Sequence, residues 1–309
     1  MGITSLMSNE QQHQEQLQSV IRYYDGTRWD YRWMWLNGEN NAIHFGYHDA
    51  GQRRSHAGSL LNTNQVLADI AAIDRGERVL DAGCGIGGGS SVWLAEQRGA
   101  TVVGITPVRT QVERARRLAA ARGVSHAVTV KQADYTAMPF PDASFDVVWA
   151  LESVCHAREK AAFYRESARV LRPGGRLVIG EYMRARRPLC VADEALLGRW
   201  LSSWMLSDLD TAQEHARHAL EAGLAQFEVR DVTANMHRSL RRLYMLSLAG
   251  VPISRMLHKL RLRSDVSHAN VLGAQHQYRA LRRGSWVYGI GCAKKPRAAS
   301  RPAALNGCT

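Results

Sequence analysis

The run Val79-Leu80-Asp81-Ala82-Gly83-Cys84-Gly85-Ile86-Gly87-Gly88-Gly89 constrains this chain more than any other segment. A short apolar stretch meets an acid, then a glycine-dense loop, then the helical pattern of Ser90 to Arg98. That order reads as strand, tight turn and helix, with glycines letting the backbone come close to a ligand. Gly83, Gly85 and Gly88 satisfy the spacing G-x-G-x-x-G, so a dinucleotide fold is one reading of the loop taken alone. Such a fold asks for an acid about twenty residues later to hold a ribose. Here the second strand ends in Gly104-Ile105-Thr106, without one.

The rest of the chain repeats the alternation. Strands are expected at Thr101 to Ile105, Ala127 to Gln132, Phe145 to Ala150 and Arg176 to Glu181, with helices at Arg109 to Arg122 and Glu159 to Leu171. Helical segments at Leu189 to Met205 and Ala212 to Ala222 precede a strand at Phe227 to Val232. Further helices from about Asn235 to Arg283 precede a closing strand at Ser285 to Ala293. The expected fold is therefore α/β, a doubly wound, mostly parallel, seven-stranded Rossmann-like sheet with helical cap insertions. The expected organisation is a tail and aromatic lid segment over 1–55 and a cofactor-binding core over 56–183. Cap insertions over 184–283 surround a core strand near 226–232, before a closing strand over 284–294 and a basic disordered tail over 295–309. Residues 1 to about 16 are Gln-rich and read as frayed. The aromatic stretch Tyr23 to Tyr47 shows little strand or helix period and reads as a wrap or an active-site lid.

Charge matters because it is local. Of a formal net charge of +12, fourteen Lys and Arg against Asp265 alone fall between Met236 and Arg301. An enzyme that modifies nucleic acid is disfavoured because no N/D-P-P-Y/F motif, Pro-Cys motif or RNA-binding module is found. The five cysteines lack C-x-x-C spacing, which argues against a disulfide framework or zinc knuckle and for a cytoplasmic setting. No apolar run reaches the length of a membrane span, and no metal-ligand cluster stands out.

Three features point to S-adenosylmethionine rather than a dinucleotide. Asp81 precedes the first glycine, Asp134 follows the third strand, and Pro139-Phe140-Pro141-Asp142 leads into the fourth. Joined in the motifs VLDAGCGIGGGSS, GITPVRTQVERA, QADYTAMPFPDASFDVVWALES and RVLRPGGRLVI, they resemble the class I methyltransferases over about residues 75 to 183. A narrower set, Tyr24-Asp25, His44-Phe45-Gly46-Tyr47-His48-Asp49, Thr106 with Gln111, and Leu151-Glu152-Ser153 with His156, resembles the tocopherol, sterol side-chain and isoprenoid diphosphate methyltransferases. That resemblance implies that Thr106 and Gln111 replace the missing ribose acid and that Gly83 and Gly85 line the methionine end. It further implies that Asp134 and Tyr135 flank adenine, that Tyr24 and Tyr47 close over the cofactor, and that the assembly is a homodimer.

Methyl transfer is an in-line displacement in which positioning dominates, so substrates differ mainly in how a proton is handled. Glu152 follows Val-Val-Trp-Ala-Leu at the carboxyl edge of the sheet, where ligands bind, and is the leading proton acceptor. It could instead cap the next helix or bond backbone amides. His156 could orient Glu152, act itself, or simply pack. The resemblance implies C-methylation of an isoprenoid or lipid-like alkene, with Glu152 deprotonating a carbocation and aromatic residues such as Tyr23, Trp33 or Trp204 shielding it. O- or N-methylation of a specialised metabolite is the alternative. A diphosphate acceptor would bring Mg²⁺ and give the cap arginines Arg238, Arg241 and Arg242 a partner.

Overall fold

The computed structural model describes residues 9–34, of which the last three by backbone alone, and 42–297. Seven strands form one sheet: β1 (Arg78–Ala82), β2 (Thr101–Thr106), β3 (Val128–Gln132), β4 (Phe145–Leu151), β5 (Leu171–Arg184), β6 (Ala225–Asp231) and β7 (Trp286–Lys294). Their order is β3-β2-β1-β4-β5-β7-β6. β7 runs antiparallel to β5 and β6, and the other neighbours pair in parallel. Central strands of such a sheet are covered on both faces and so read as continuous apolar runs. In β4, Val147, Trp149 and Leu151 enter one core layer while Val148 and Ala150 enter the other.

From β1 the chain moves outward to β2 and β3, then returns to β4 on the other side of β1. That reversal opens a crevice at the carboxyl ends of β1 and β4, the usual ligand position in open α/β sheets. The helices α2 (His56–Ile70), α3 (Gly89–Arg98), α4 (Arg109–Ala121), α5 (Lys160–Val170) and α7 (Ala212–Glu221) accompany the strands. Over the carboxyl edge, α6 (Val191–Ser203), α8 (Thr233–Lys259) and α9 (Asp265–Arg282) pack on one another, and α9 also meets α1 (Asn9–Met34).

Helix α1 corrects the expectation of a frayed start and an aperiodic aromatic stretch. Val20, Tyr23, Thr27 and Asp30 are buried at helical spacing. His13, Gln16, Leu17 and Tyr24 continue this line and face the crevice. Because that face lines a cavity rather than an apolar core, its polar side chains conceal the period. A second correction concerns the expected basic tail, which begins as ordered chain. The Lys295 N–H donates to Gly175 O (2.8 Å), Gly174 N–H donates to Lys295 O (2.8 Å), and Lys295 Nζ reaches Leu171 O (2.7 Å). Residues 1–8 and 298–309, also read as tails, lie outside the described residues, as does the side chain of Trp33.

Candidate active site

The glycine loop takes its shape from close approach. Gly83 has φ +94°, and a Cβ there would lie 2.4 Å from Ser153 Cβ, so only glycine lets the loop pass beneath β4. Gly83 N–H and Cys84 N–H both donate to Ile105 O at 3.0 Å, tying the loop to β2. Gly85, at φ +66°, lines the same cavity. Asp81 ends in this crevice with Oδ2 accepting from Ser91 Oγ at 2.5 Å, and burial pushes its carboxyl up to about 7.

At the tip of β2, Thr106 Oγ1 donates to Gln111 Oε1 at 2.6 Å. This fixes the amide so that its nitrogen remains as donor. Gln111 Nε2 is buried, lines the cavity and has no hydrogen-bond partner. A buried donor is costly to leave unmet, and a ribose hydroxyl would satisfy it. Asp134 also lines the cavity, with Oδ1 accepting from Thr136 N–H (2.8 Å) and Oδ2 2.6 Å from His13 Nε2. Tyr135 lines it too, its hydroxyl donating to Ser153 O at 2.8 Å and its ring set edge-on against Phe163. An orphaned donor, a loop too tight for a Cβ and two acids along one crevice fit S-adenosylmethionine.

Glu152 lies just beyond β4 in the left-handed region, at φ +50°. Such backbone costs about 1–3 kcal/mol in a non-glycine residue and tends to occur at functional sites. Its N–H still donates to Gly180 O at 2.8 Å, and its half-buried side chain lines the cavity. Three donors hold the carboxylate: Phe45 N–H at 2.7 Å and Tyr288 OH at 2.8 Å on Oε1, and Tyr182 OH on Oε2. Tyr182 and Tyr288 face each other across the β5–β7 ladder, which brings both phenols to one carboxylate. Burial raises Glu152 to about 8, against the opposing pull of these three donors. An ionised carboxylate has about four acceptor positions, so one remains open on Oε2. The group therefore anchors the Phe45 backbone and changes charge near neutrality.

His156, in a 3-10 turn over Val154–His156, does not contact Glu152 through a hydrogen bond. Its Nε2 is 3.0 Å from Tyr24 OH, and its Nδ1 is 3.4 Å from Met205 O. Burial lowers His156 to about 4, so the neutral ring accepts from Tyr24. His156 thus ties Tyr24 of α1 to the turn after β4, and of the readings the sequence left open for it, orienting Glu152 finds no hydrogen bond. Tyr24 lines the cavity as expected, with Tyr31, Phe45 and Trp204. Tyr47 does not. Its N–H is held by Ser59 O and Thr63 Oγ1, and its side chain packs against the core. The cap residues Arg238, Arg241 and Arg242 are exposed on α8, outside the cavity lining.

Sequence reasoning missed Tyr182, Tyr288 and His13, and named Phe45 only within a motif. Tyr182 lies one residue beyond the expected strand Arg176 to Glu181 and Tyr288 within the expected closing strand, and only the pairing of the two strands brings their phenols together. His44 too was noticed only as part of that motif. Buried and neutral, lowered to about 4 by desolvation, it lines the cavity with Nε2 unpartnered. Among the described residues no group of three or more His, Cys, Asp or Glu is placed to hold a metal ion.

A family model described as a methyltransferase domain matches residues 80–179. The chain is 37% identical over 200 residues to a 27-O-demethylrifamycin SV methyltransferase of Amycolatopsis mediterranei (strain S699), covering 64% of this chain and 71% of that one. It is 32% identical over 182 residues to a sterol 24-C-methyltransferase of Eremothecium gossypii, covering 59% of this chain and 47% of that one. Among solved structures, the [4+2]-cyclase SpnF superposes with a TM-score of 0.70 at 24% identity, covering 96% of this chain and 99% of that one. That likeness speaks for the fold alone.

Proposed function

The chain belongs to the class I S-adenosylmethionine-dependent methyltransferases, and from that premise we propose that it methylates an uncharged, lipid-like small molecule with Glu152 as the proton acceptor. The observation that carries this reading is the half-buried Glu152 carboxylate in the cavity wall, raised to about 8 and held by Tyr182, Tyr288 and the Phe45 amide. When bound, S-adenosylmethionine supplies an electrophilic methyl carbon, whose bond to sulfur breaks as the bond to the acceptor forms, the electron pair staying on sulfur. Gln111 and Asp134 bind its ribose and adenine ends, and the Gly83–Gly85 backbone its amino-acid end. Helix α1, latched through Tyr24 to His156 and through His13 to Asp134, keeps water from the reacting groups.

Methylation of a hydroxyl and methylation of an alkene each displace one proton. Glu152 Oε2 receives it in either case. The open position on Oε2 suits a hydroxyl that donates before reaction, which favours oxygen as the atom methylated, as in the name of the rifamycin relative. A second reading, C-methylation of an isoprenoid or sterol-like alkene, is favoured by the ring faces of Tyr24, Tyr31, Phe45 and Trp204 around the cavity. Each desolvated aromatic face stabilises a nearby cation by about 0.5 to 2 kcal/mol. A diphosphate acceptor fits less well, since Arg158 is the sole arginine in the described lining and its guanidinium is engaged with Gln12.

The test is transfer of labelled methyl groups to macrolactam alcohols, prenyl quinols, sterols and isoprenoid diphosphates, with the label position recorded. Label on a hydroxyl supports the first reading and label on carbon the second. Efficient labelling of a diphosphate alone overturns the uncharged acceptor, and cofactor binding without any transfer overturns the methylase reading.

A further inference from the structure

Helix α8 is apolar on two sides. Its inner side is explained: Met236, Leu240 and Val251 are buried, and Leu243 lines the cavity. Its outer side has no partner among the described residues. Met245, Leu248, Ile253, Met256, Leu260 and Leu262 are exposed at 52%, 40%, 59%, 55%, 61% and 73%, and most of the exposed large apolar side chains among the described residues fall on this one stretch. On α8, Met245, Leu248, Ile253 and Met256 fall within one broad side of the helix, and Leu260 and Leu262 continue it into the turn after α8. Patches of this kind on a folded chain mark interaction sites.

The charge along the same stretch selects the partner. From Met236 to Arg263 there are seven Lys and Arg and no acid. Arg238, Arg241, Arg255, Lys259 and Arg261 are exposed beside the apolar face, while Arg263 is bound to Asp30 of α1 at 2.7 Å. We propose that the outer face of α8 docks on an anionic lipid bilayer, the apolar side chains entering the interface and the flanking cations meeting the head groups. A second copy of this chain fits worse, because a two-fold contact would set the basic cluster against itself. The docked face adjoins the lid. Trp29, 55% exposed on α1, lies one residue from the Asp30–Arg263 pair that joins α1 to the end of this stretch. An acceptor dissolved in the bilayer would therefore meet the protein beside the helix that covers the cavity.

The inference does not depend on which acceptor is methylated, and its test does not use turnover. The full chain is sedimented with phosphatidylcholine vesicles with and without phosphatidylglycerol, at low and high salt. The expected result is binding to the anionic vesicles that weakens with salt. Arg255→Gln with Lys259→Gln should weaken it by about ten- to thirtyfold, and Ile253→Ser with Met256→Ser should weaken it at every salt concentration. All four side chains are exposed, so both variants should keep the wild-type melting temperature and cofactor affinity. The proposal is overturned if the wild type ignores anionic vesicles, or if either folded variant binds them undiminished. It is equally overturned if light scattering finds a dimer that Ile253→Ser with Met256→Ser dissociates, which gives the face to a second copy.

Discussion

Replacing Tyr288 by Phe removes one donor from Glu152 and little else. The Tyr288 ring is fully buried and sits edge-on to Tyr182 at 5.7 Å, so packing is retained, while the 2.8 Å bond to Oε1 is lost. Burial holds the phenol pKa well above its ordinary value, so it remains a donor throughout the accessible pH range. A hydrogen bond to an ionised group contributes about 1.5 to 3 kcal/mol, and about 1.36 kcal/mol corresponds to one pKa unit. Loss of the donor therefore raises the Glu152 carboxyl from about 8 by about one to two units. Turnover needs the ionised form, so activity falls on the acid side of that value. The acid limb of kcat against pH should move upward by the same one to two units, cutting turnover at pH 7 by about ten- to a hundredfold, with much of it recovered by pH of about 10. Tyr182→Phe should act in the same direction, since its hydroxyl holds Oε2. An acid limb that stays in place while kcat falls evenly at all pH values would refute the reasoning, as would a limb that moves downward.

Three other perturbations probe the cofactor crevice and the core. Gln111→Ala removes the unpartnered buried donor, together with the acceptor of the Thr106 hydroxyl, and should weaken S-adenosylmethionine by about three- to tenfold in calorimetry; unchanged affinity would count against the ribose assignment. Gly83→Ala forces an L side chain to φ +94° and a Cβ to 2.4 Å from Ser153, so it should lower the melting temperature by about 5 to 10 °C and abolish measurable cofactor binding; wild-type melting would contradict it. Burial raises Glu181 from 4.5 to about 7, so the folded chain holds a proton there that the unfolded chain releases. Its contribution to stability is full below about 4.5 and is lost as pH rises to about 7. Glu181→Gln should flatten that decline in urea unfolding between these values, and an unchanged slope would count against it.

The Rossmann-like core was readable because its signals are local. Glycines at 83 and 85 are demanded by backbone conformation, and Thr106 with Gln111 sit at fixed distances from a strand end. What was not readable has a common cause. Helix α1 turns toward a cavity, so His13, Gln16 and Asp30 occupy positions where a core helix would carry Leu or Val, and its period disappears. The partners of Glu152 come from residues 45, 182 and 288, and no local pattern links them; the antiparallel register of β5 and β7 joins Tyr182 to Tyr288, and the chain before α2 brings the Phe45 N–H to the same carboxylate. Tyr47 misled for the opposite reason. It lies inside the aromatic motif, yet the bonds from its N–H to Ser59 and Thr63 hold it against the core instead of the cavity.

Glu152→Gln separates the proton-acceptor role from a structural one. The amide keeps the shape of the side chain and can still accept from the Phe45 N–H and Tyr288, but it cannot take a proton. With an acceptor found in the labelling panel, turnover should fall by about 10² to 10⁴, while S-adenosylmethionine affinity by calorimetry stays within about threefold of wild type. Retained turnover, or a loss of cofactor affinity as large as the loss of rate, would contradict Glu152 as the proton acceptor.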